Sequence, residues 1–243
     1  MDIERGTRTR ITFDQTVKTD PAWSSDGKTL AYVARTAGTD GTILSKAANV
    51  TGSEQTLVAE NGVGANFPQF SADGKYLVYL RQKDGRPLEI VAKPLMGGDS
   101  LTVVKFHEGA TALPPYYRLS PNGRWLAYGS AESGTHEVYI VPFPKGDGKW
   151  QVSSGGGTVP TWRKDGKEVY YMTVQGQMFA AGITERGNEL QIDTPRLLFN
   201  ANIAAIGTLY DVSPDGTFVV QQANTGSQEP LNLITNWAAE LKK

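Results

Sequence analysis

The chain has 243 residues, enough for one large domain or two small ones, and 39% of them are hydrophobic, so a folded core can be filled. Its 24 basic and 25 acidic side chains nearly cancel, which leaves no net field to draw in nucleic acid or an anionic membrane. The absence of cysteine excludes disulfides, thiolate nucleophiles and sulfur-ligated zinc, and two histidines, His107 and His136, exclude a three-histidine metal site.

At the start, Met1-Asp2-Ile3-Glu4-Arg5 lacks the apolar stretch of a signal peptide, and no apolar run reaches the about 18 to 20 residues of a membrane helix. A soluble chain with no direct membrane insertion is expected, any export signal lying outside this sequence. The first strand-like run is "RGTRTRITF", Arg5 to Phe13, with no hairpin before it. Then one phrase recurs: "AWSSDGKTLAYV" at Ala22, "QFSADGKYLVYL" at Gln69, "RLSPNGRWLAYG" at Arg118, "TWRKDGKEVYYM" at Thr161 and "DVSPDGTFVVQQ" at Asp211. Its turn residues Asp26, Asp73, Asn122, Asp165 and Asp215 stand 47, 49, 43 and 50 positions apart, the length of one four-stranded propeller blade.

The phrase predicts a hairpin. Gly27, Gly74, Gly123, Gly166 and Gly216 supply the positive φ of the turn, and the Asp or Asn before each caps it. The acids lie about one blade apart and lack the ligand alternation of a calcium loop, so a structural turn role is expected of all ten residues. After each turn, pairs such as Leu30 and Tyr32 or Leu126 and Tyr128 alternate at the period of a strand. The residue three before the turn, Trp23, Phe70, Leu119, Trp162 or Val212, is apolar and is expected in the core between facing sheets.

A third apolar run follows every hairpin, at Thr42, Leu88, Glu137, Gln177 and Leu231, and a fourth follows four of them, at Glu54, Ser100, Lys149 and Pro195. The fifth unit ends in the polar tail Ala238 to Lys243 instead. The expected fold is therefore an all-β propeller, a single domain of five four-stranded antiparallel blades at about 15–60, 61–107, 108–154, 155–200 and 201–243. The run 5–13 would fill the vacant strand and close the ring, burying sheet edges. A ring closed in this way is expected to be monomeric.

Few residues carry a catalytic signature. "GSAESG", Gly129 to Gly134, falls short of a nucleophile elbow and sits in a hairpin loop, and His107 and His136 read as surface histidines in different blades. Asp20, Asp211 and Glu108 could approach a channel mouth as paired acids, a weak signal for glycoside hydrolysis. "NVT" at Asn49 to Thr51 matches a glycosylation sequon of a kind frequent by chance. No catalytic residue, metal site or cofactor is assigned. The segments entering the innermost strands are rich in proline and aromatics, and Asp20, Phe67, Tyr116, Tyr117, Arg118 and Tyr210 are the candidate binding residues there, with Tyr116-Tyr117-Arg118 foremost. The competing expectation is that these aromatics plug the channel or pack between blades.

The turns "WSSDG", "FSADG", "LSPNG" and "VSPDG" resemble the TolB-like propeller repeats. "RGTRTRITFD", the stretch from "SPNGRWLAYG" to "DGKEVYYM", and the ending "NWAAELKK" resemble the C-terminal propeller of bacterial serine/threonine protein kinases, over essentially the whole chain. That resemblance implies a sensing or protein-interaction module, extracytoplasmic when attached to its kinase. Family members tend to carry one more hairpin before the first strand, so a fragment of a six-bladed ring is the alternative architecture. Kinase loops are absent from the sequence: it has no Gly-x-Gly-x-x-Gly, His-Arg-Asp or Asp-Phe-Gly motif. The expected function is a non-enzymatic recognition module for a protein, peptide or small ligand. The alternatives are a propeller hydrolase or lactonase using acids and a divalent ion, and a truncated propeller without a native partner.

Overall fold

In the computed structural model, residues 10–35, 41–83, 88–107, 116–201, 210–221 and 233–234 are described, and each repeated phrase folds into the same turn. In the first, the Ser24 hydroxyl donates to Asp26 at 2.7 Å and accepts the Thr29 N–H at 2.9 Å, while Asp26 accepts the Lys28 N–H at 3.0 Å. Ser71 and Asp73 repeat this pattern, as do Ser120 and Asn122, and Ser213 and Asp215. Gly27, Gly74, Gly123, Gly166 and Gly216 all have positive φ. The fourth turn replaces serine by Arg163, whose guanidinium holds Asp165 through two bonds of 2.8 and 2.7 Å. Asn122 is the one amide of the series because it also donates, through Nδ2, to Glu185 at 2.6 Å, which a carboxylate could not do.

The strands between these turns form antiparallel sheets, and no helix occurs among the described residues. Two compact units divide the chain, Met1–Lys105 and Phe106–Lys243, at the seam between the second and third repeats. In the first unit, β1 (Val17–Trp23), β2 (Thr29–Arg35), β3 (Thr42–Ala47) and β4 (Gln55–Val58) make one sheet in chain order. β5 (Val63–Phe70), β6 (Tyr76–Lys83), β7 (Glu89–Pro94) and β8 (Leu101–Lys105) make the next. The two sheets face each other through Ala31, Val33, Ile43 and Val58 on one side and Ala65, Leu77, Tyr79 and Val91 on the other.

In the second unit, β9 (Tyr117–Leu119), β10 (Trp125–Ser130), β11 (Glu137–Pro142) and β12 (Trp150–Gln151) form a sheet in the same order. β13 (Thr158–Trp162), β14 (Glu168–Met172) and β15 (Gln177–Arg186) follow, and β15 is long enough to pair with both β16 (Glu189–Ile192) and β17 (Arg196–Asn200). β18 (Tyr210–Val212), β19 (Phe218–Val220) and β20 (Leu233–Ile234) form a three-stranded sheet. Trp125, Ile140, Trp162 and Val169 fill the space between the first two of these sheets, and Tyr170, Met178, Tyr210 and Phe218 fill the next. Burying such side chains at about 25 cal/mol per Å² drives the stacking of one sheet on the next.

Three expectations change. The strand expected over 5–13 does not form in its described part, since Arg10–Phe13 take no strand pairing; Arg5 to Thr9 and the tail from Ala238 lie outside the described residues. β16 was not foreseen, although Gly187-Asn188 in "RGNELQI" is a hairpin signal and Gly187 has φ +65. Trp23 is 57% exposed, whereas its counterpart Trp162 is 7% exposed. Among the described residues Trp23 belongs to the first sheet of its unit, whereas Trp162 is enclosed by Trp125 and Ile140 of the sheet that precedes its own.

Candidate functional site

The first strand of each sheet carries the candidate residues, and proline decides its shape. In β1, Thr19 pairs with Val33 and Ala22 with Ala31, so Asp20 and Pro21 together oppose the single residue Tyr32. Phe67-Pro68 in β5 and Val159-Pro160 in β13 form the same two-against-one bulge opposite Tyr79 and Tyr171. Proline has no N–H to give a ladder, so the bulge is where it fits. Among the described residues four non-glycines have positive φ, and three of them are Asp20 (51°), Phe67 (52°) and Val159 (51°), each directly before the bulge proline. L-residues reach this region at a cost of about 1–2 kcal/mol, a form of strain found where a side chain is re-aimed.

In β9 and β18 tyrosine takes the place of proline, and the pairing is regular. Tyr117 faces Tyr128, Arg118 faces Ala127, and Tyr210 faces Val220. The Tyr116 carbonyl extends the first ladder by accepting the Gly129 N–H at 3.0 Å.

The structure sorts the six candidates by environment. Asp20 and Phe67 lie half-buried in the first unit, where the Thr19 hydroxyl donates to Asp20 at 3.0 Å and the Arg35 guanidinium donates to Asn66 beside Phe67. The other four lie in the second unit. Tyr117 is 1% exposed and points the same way as Leu119, so its side chain is core and offers no surface. Tyr210 is 5% exposed, packed with Val159, Tyr170 and Phe218. Tyr116 is half-buried against that same group. Arg118 is exposed.

Arg118, Thr161 and Asp211 occupy the same register position, one residue before the large apolar residue of each repeat, in β9, β13 and β18. The Trp162 indole ties β13 to β9 by donating to the Arg118 carbonyl at 3.1 Å. The Arg118 guanidinium makes a 3.3 Å bond to the Tyr117 carbonyl and no ion pair among the described residues. Beside Thr161 lies the Tyr210 phenol, whose oxygen is buried and has no partner of hydrogen-bonding geometry. Burial pushes this phenol far above the ordinary tyrosine range, with the nearby Asp211 carboxylate acting in the same direction and Arg118 and Thr161 against it. The phenol therefore remains a proton donor throughout the physiological range. Thr161 and Val159 went unassigned in the sequence, although "TVPTW" places them at the register of Arg118 and Phe67.

Other chemistry-bearing groups are accounted for locally. Glu137, buried in β11, accepts the Gly155 and Gly156 N–H groups at 2.9 and 3.0 Å, the Thr135 hydroxyl at 3.2 Å and the Ser153 hydroxyl. It fastens a glycine-rich loop. His107 is exposed, but His136 is half-buried with Nε2 unpartnered, a correction to its surface reading, and burial lowers its pKa. The His136 carbonyl accepts the Gly157 N–H at 2.7 Å. Ser130 ends a strand that no helix follows, so no nucleophile elbow forms. Asp211 is exposed, and Glu108 lies outside the described residues. Among the described residues no three His, Asp or Glu side chains gather as metal ligands.

No family model and no curated protein matches the chain. Solved structures do. A protein described as TolB from Agrobacterium tumefaciens superposes with a TM-score of 0.62 at 20% identity, over 87% of this chain and 73% of that one. TolB from Acinetobacter baumannii gives 0.60 at 16% identity, over 88% of this chain and 54% of that one, so this chain spans about half its length. The gluconolactonase XC5397 from Xanthomonas campestris gives 0.59 at 16% identity, over 86% and 71%. At these identities the likeness concerns the fold, and the fold is that of the TolB-like β-propellers.

Proposed function

We propose that the chain is a non-enzymatic recognition module that holds a protein or peptide at the first-strand surface of the second unit, around Tyr116 and Arg118. In this reading the five sheets are five propeller blades, and the resemblance to kinase-associated bacterial propellers supports a sensing role. The observation that carries it is an exposed arginine with no carboxylate partner among the described residues, beside a half-buried tyrosine, on strands locked by sheet packing. Arginine and tyrosine on a rigid support are the residue types that concentrate binding energy. Among the described residues the dispersed carboxylates and the internally satisfied Glu137 favour recognition over metal-assisted hydrolysis.

The test is a peptide-display selection on the full chain, run beside an assay of gluconolactone hydrolysis with and without added calcium. Selected peptides are expected to lose about tenfold or more in affinity with Tyr116→Ala or Arg118→Ala, each checked for an unchanged melting profile. Lactone turnover is expected to stay at the uncatalysed rate. Peptides indifferent to both substitutions, a selection that yields none, or calcium-dependent turnover would each overturn the reading in favour of another surface or a hydrolase.

A further inference from the structure

We propose that the first unit holds a binding site for a small hydrophobic carboxylate, whose ring or branched chain enters a cavity on the first sheet and whose charge meets Arg10 and Lys46. The site does not depend on the recognition surface around Tyr116 and Arg118.

Strand alternation sends Ala31 and Val33 of β2 toward the second sheet, so Leu30 and Tyr32 point from the opposite face. Ile11 and Thr12 lie over that face and leave a cavity of about 160 Å³, walled also by Lys18, Thr19 and Pro21. An apolar cavity of about 150 Å³ holds one benzene ring, so this space fits a single six-carbon group. Three polar groups of the wall are already matched: the Tyr32 hydroxyl donates to Glu54 at 2.6 Å, the Thr19 hydroxyl to Asp20 at 3.0 Å, and the Lys18 ammonium is held by Asp14 at 2.7 Å. The enclosed part of the ligand is therefore apolar. Its charge is set one row away. Trp23 pairs with Leu30 across one ladder and Leu30 with Lys46 across the next, so the three side chains share the face of the cavity. Phe13, next to Thr12 in the chain, has the Lys46 ammonium 5.7 Å and the Arg10 guanidinium 5.5 Å from its ring centre. Neither cation has a carboxylate partner among the described residues; Arg10 donates to the Thr12 carbonyl at 2.7 Å. Two cations without an anion, beside an apolar cavity, match one anionic group on an apolar body. Asp20 in the bulge has no ion pair and repels a carboxylate, which leaves the Phe13 side as the place for the ligand's charge.

Side-chain NMR of the full chain, observing tryptophan indole and isoleucine and leucine methyl signals, tests this with four probes: 4-phenylbutyrate, 4-phenyl-1-butanol, 4-phenylbutylamine and butyrate. 4-Phenylbutyrate is expected to move the Trp23, Leu30 and Ile11 signals and to bind about fivefold tighter than the alcohol, the scale of exposed ion pairs, with the amine weaker than both and butyrate silent. Arg10→Gln combined with Lys46→Gln should erase the advantage of acid over alcohol while the alcohol still binds, which shows the cavity intact. Thr12→Trp, in a segment without strand pairing, fills the cavity from one side and Leu30→Phe from the other; each should abolish binding of both the acid and the alcohol, and if one variant fails to fold the other decides. Equal affinity for acid and alcohol, an acid preference that survives the double substitution, butyrate binding as well as 4-phenylbutyrate, undiminished binding in a folded filled variant, or no binding at millimolar concentration would overturn the proposal.

Discussion

The strands β5 and β9 begin their sheets in the same way and reach different shapes. In β5, Phe67 and Pro68 share one partner across the ladder, and Phe67 is driven to φ 52°. In β9 the corresponding residues are Tyr116 and Tyr117, the ladder is regular, and Tyr117 is buried against Tyr128. A single residue type separates the two: proline cannot donate to the neighbouring strand, and tyrosine can. The bulged strands spend backbone strain to redirect a side chain, while the regular strands devote a large aromatic to the core. The exposed arginine follows from that regularity, since strand alternation that buries Tyr117 and half-buries Leu119 turns Arg118 outward.

The largest effect should come from forcing one strand type into the other. Tyr117→Ala removes a buried aromatic and should cost about 3–5 kcal/mol in urea unfolding. Tyr117→Pro loses the same contacts and a ladder donor as well, adding up to about 3 kcal/mol. Equal losses for the two variants would mean that the sheet tolerates a bulge in β9 as easily as in β5, and the contrast between them would collapse.

Much of this contrast was legible beforehand. Asp-Gly and Asn-Gly pairs placed the five repeat turns, and alternation such as Leu126 and Tyr128 placed the strands that follow them, because both signals are local and arise from backbone sterics and a two-residue period. Trp23 was misplaced for a non-local reason: a tryptophan at the same repeat position is 57% exposed in β1 and 7% exposed in β13, a difference that no local pattern encodes. The proline bulges could have been read from Asp20-Pro21, Phe67-Pro68 and Val159-Pro160, all three residues before the same aromatic landmark. The candidate site was only partly visible. Sequence marks Arg118 and the tyrosines, but the lone hydroxyl of Tyr210 and its neighbour Thr161 depend on how three sheets stack.

The turns offer a second comparison of the same kind. Asn122→Asp restores the majority turn residue but sets a carboxylate against Glu185 in place of a 2.6 Å amide bond. A loss of about 1 kcal/mol in urea unfolding at neutral pH is expected. A variant as stable as the parent would show that Asn122 is interchangeable with aspartate. Smaller still is Pro21→Ala, at an exposed bulge position, which should cost about 0.4–1 kcal/mol by loosening the unfolded chain. Its sharper readout is the backbone coupling constant of Asp20. If proline imposes the bulge, that coupling shifts toward an extended strand; an unchanged left-handed value would assign the bulge to the sheet.

The smallest expected effect concerns the one turn built on arginine. Arg163 donates to Asp165 and Glu168, and its hydrogen bonds, chiefly, hold the Asp165 carboxyl down to about 2 from an ordinary 3.8. The pKa is lower in the folded state, so this stabilisation is complete above the unfolded value and disappears as the pH falls from about 4 to about 2. Both partners are well exposed, which limits the contribution to at most a few tenths of a kcal/mol. Arg163→Ser rebuilds the serine turn of the other repeats, and the Asp165 carboxyl should rise toward their less depressed range. Carboxyl-carbon NMR titration reads the shift directly. Acid unfolding of the variant should then lose less stability between pH 4 and pH 2 than the parent does. An Asp165 titration that stays near 2 in the serine variant would show that the turn backbone, and not the guanidinium, sets its acidity.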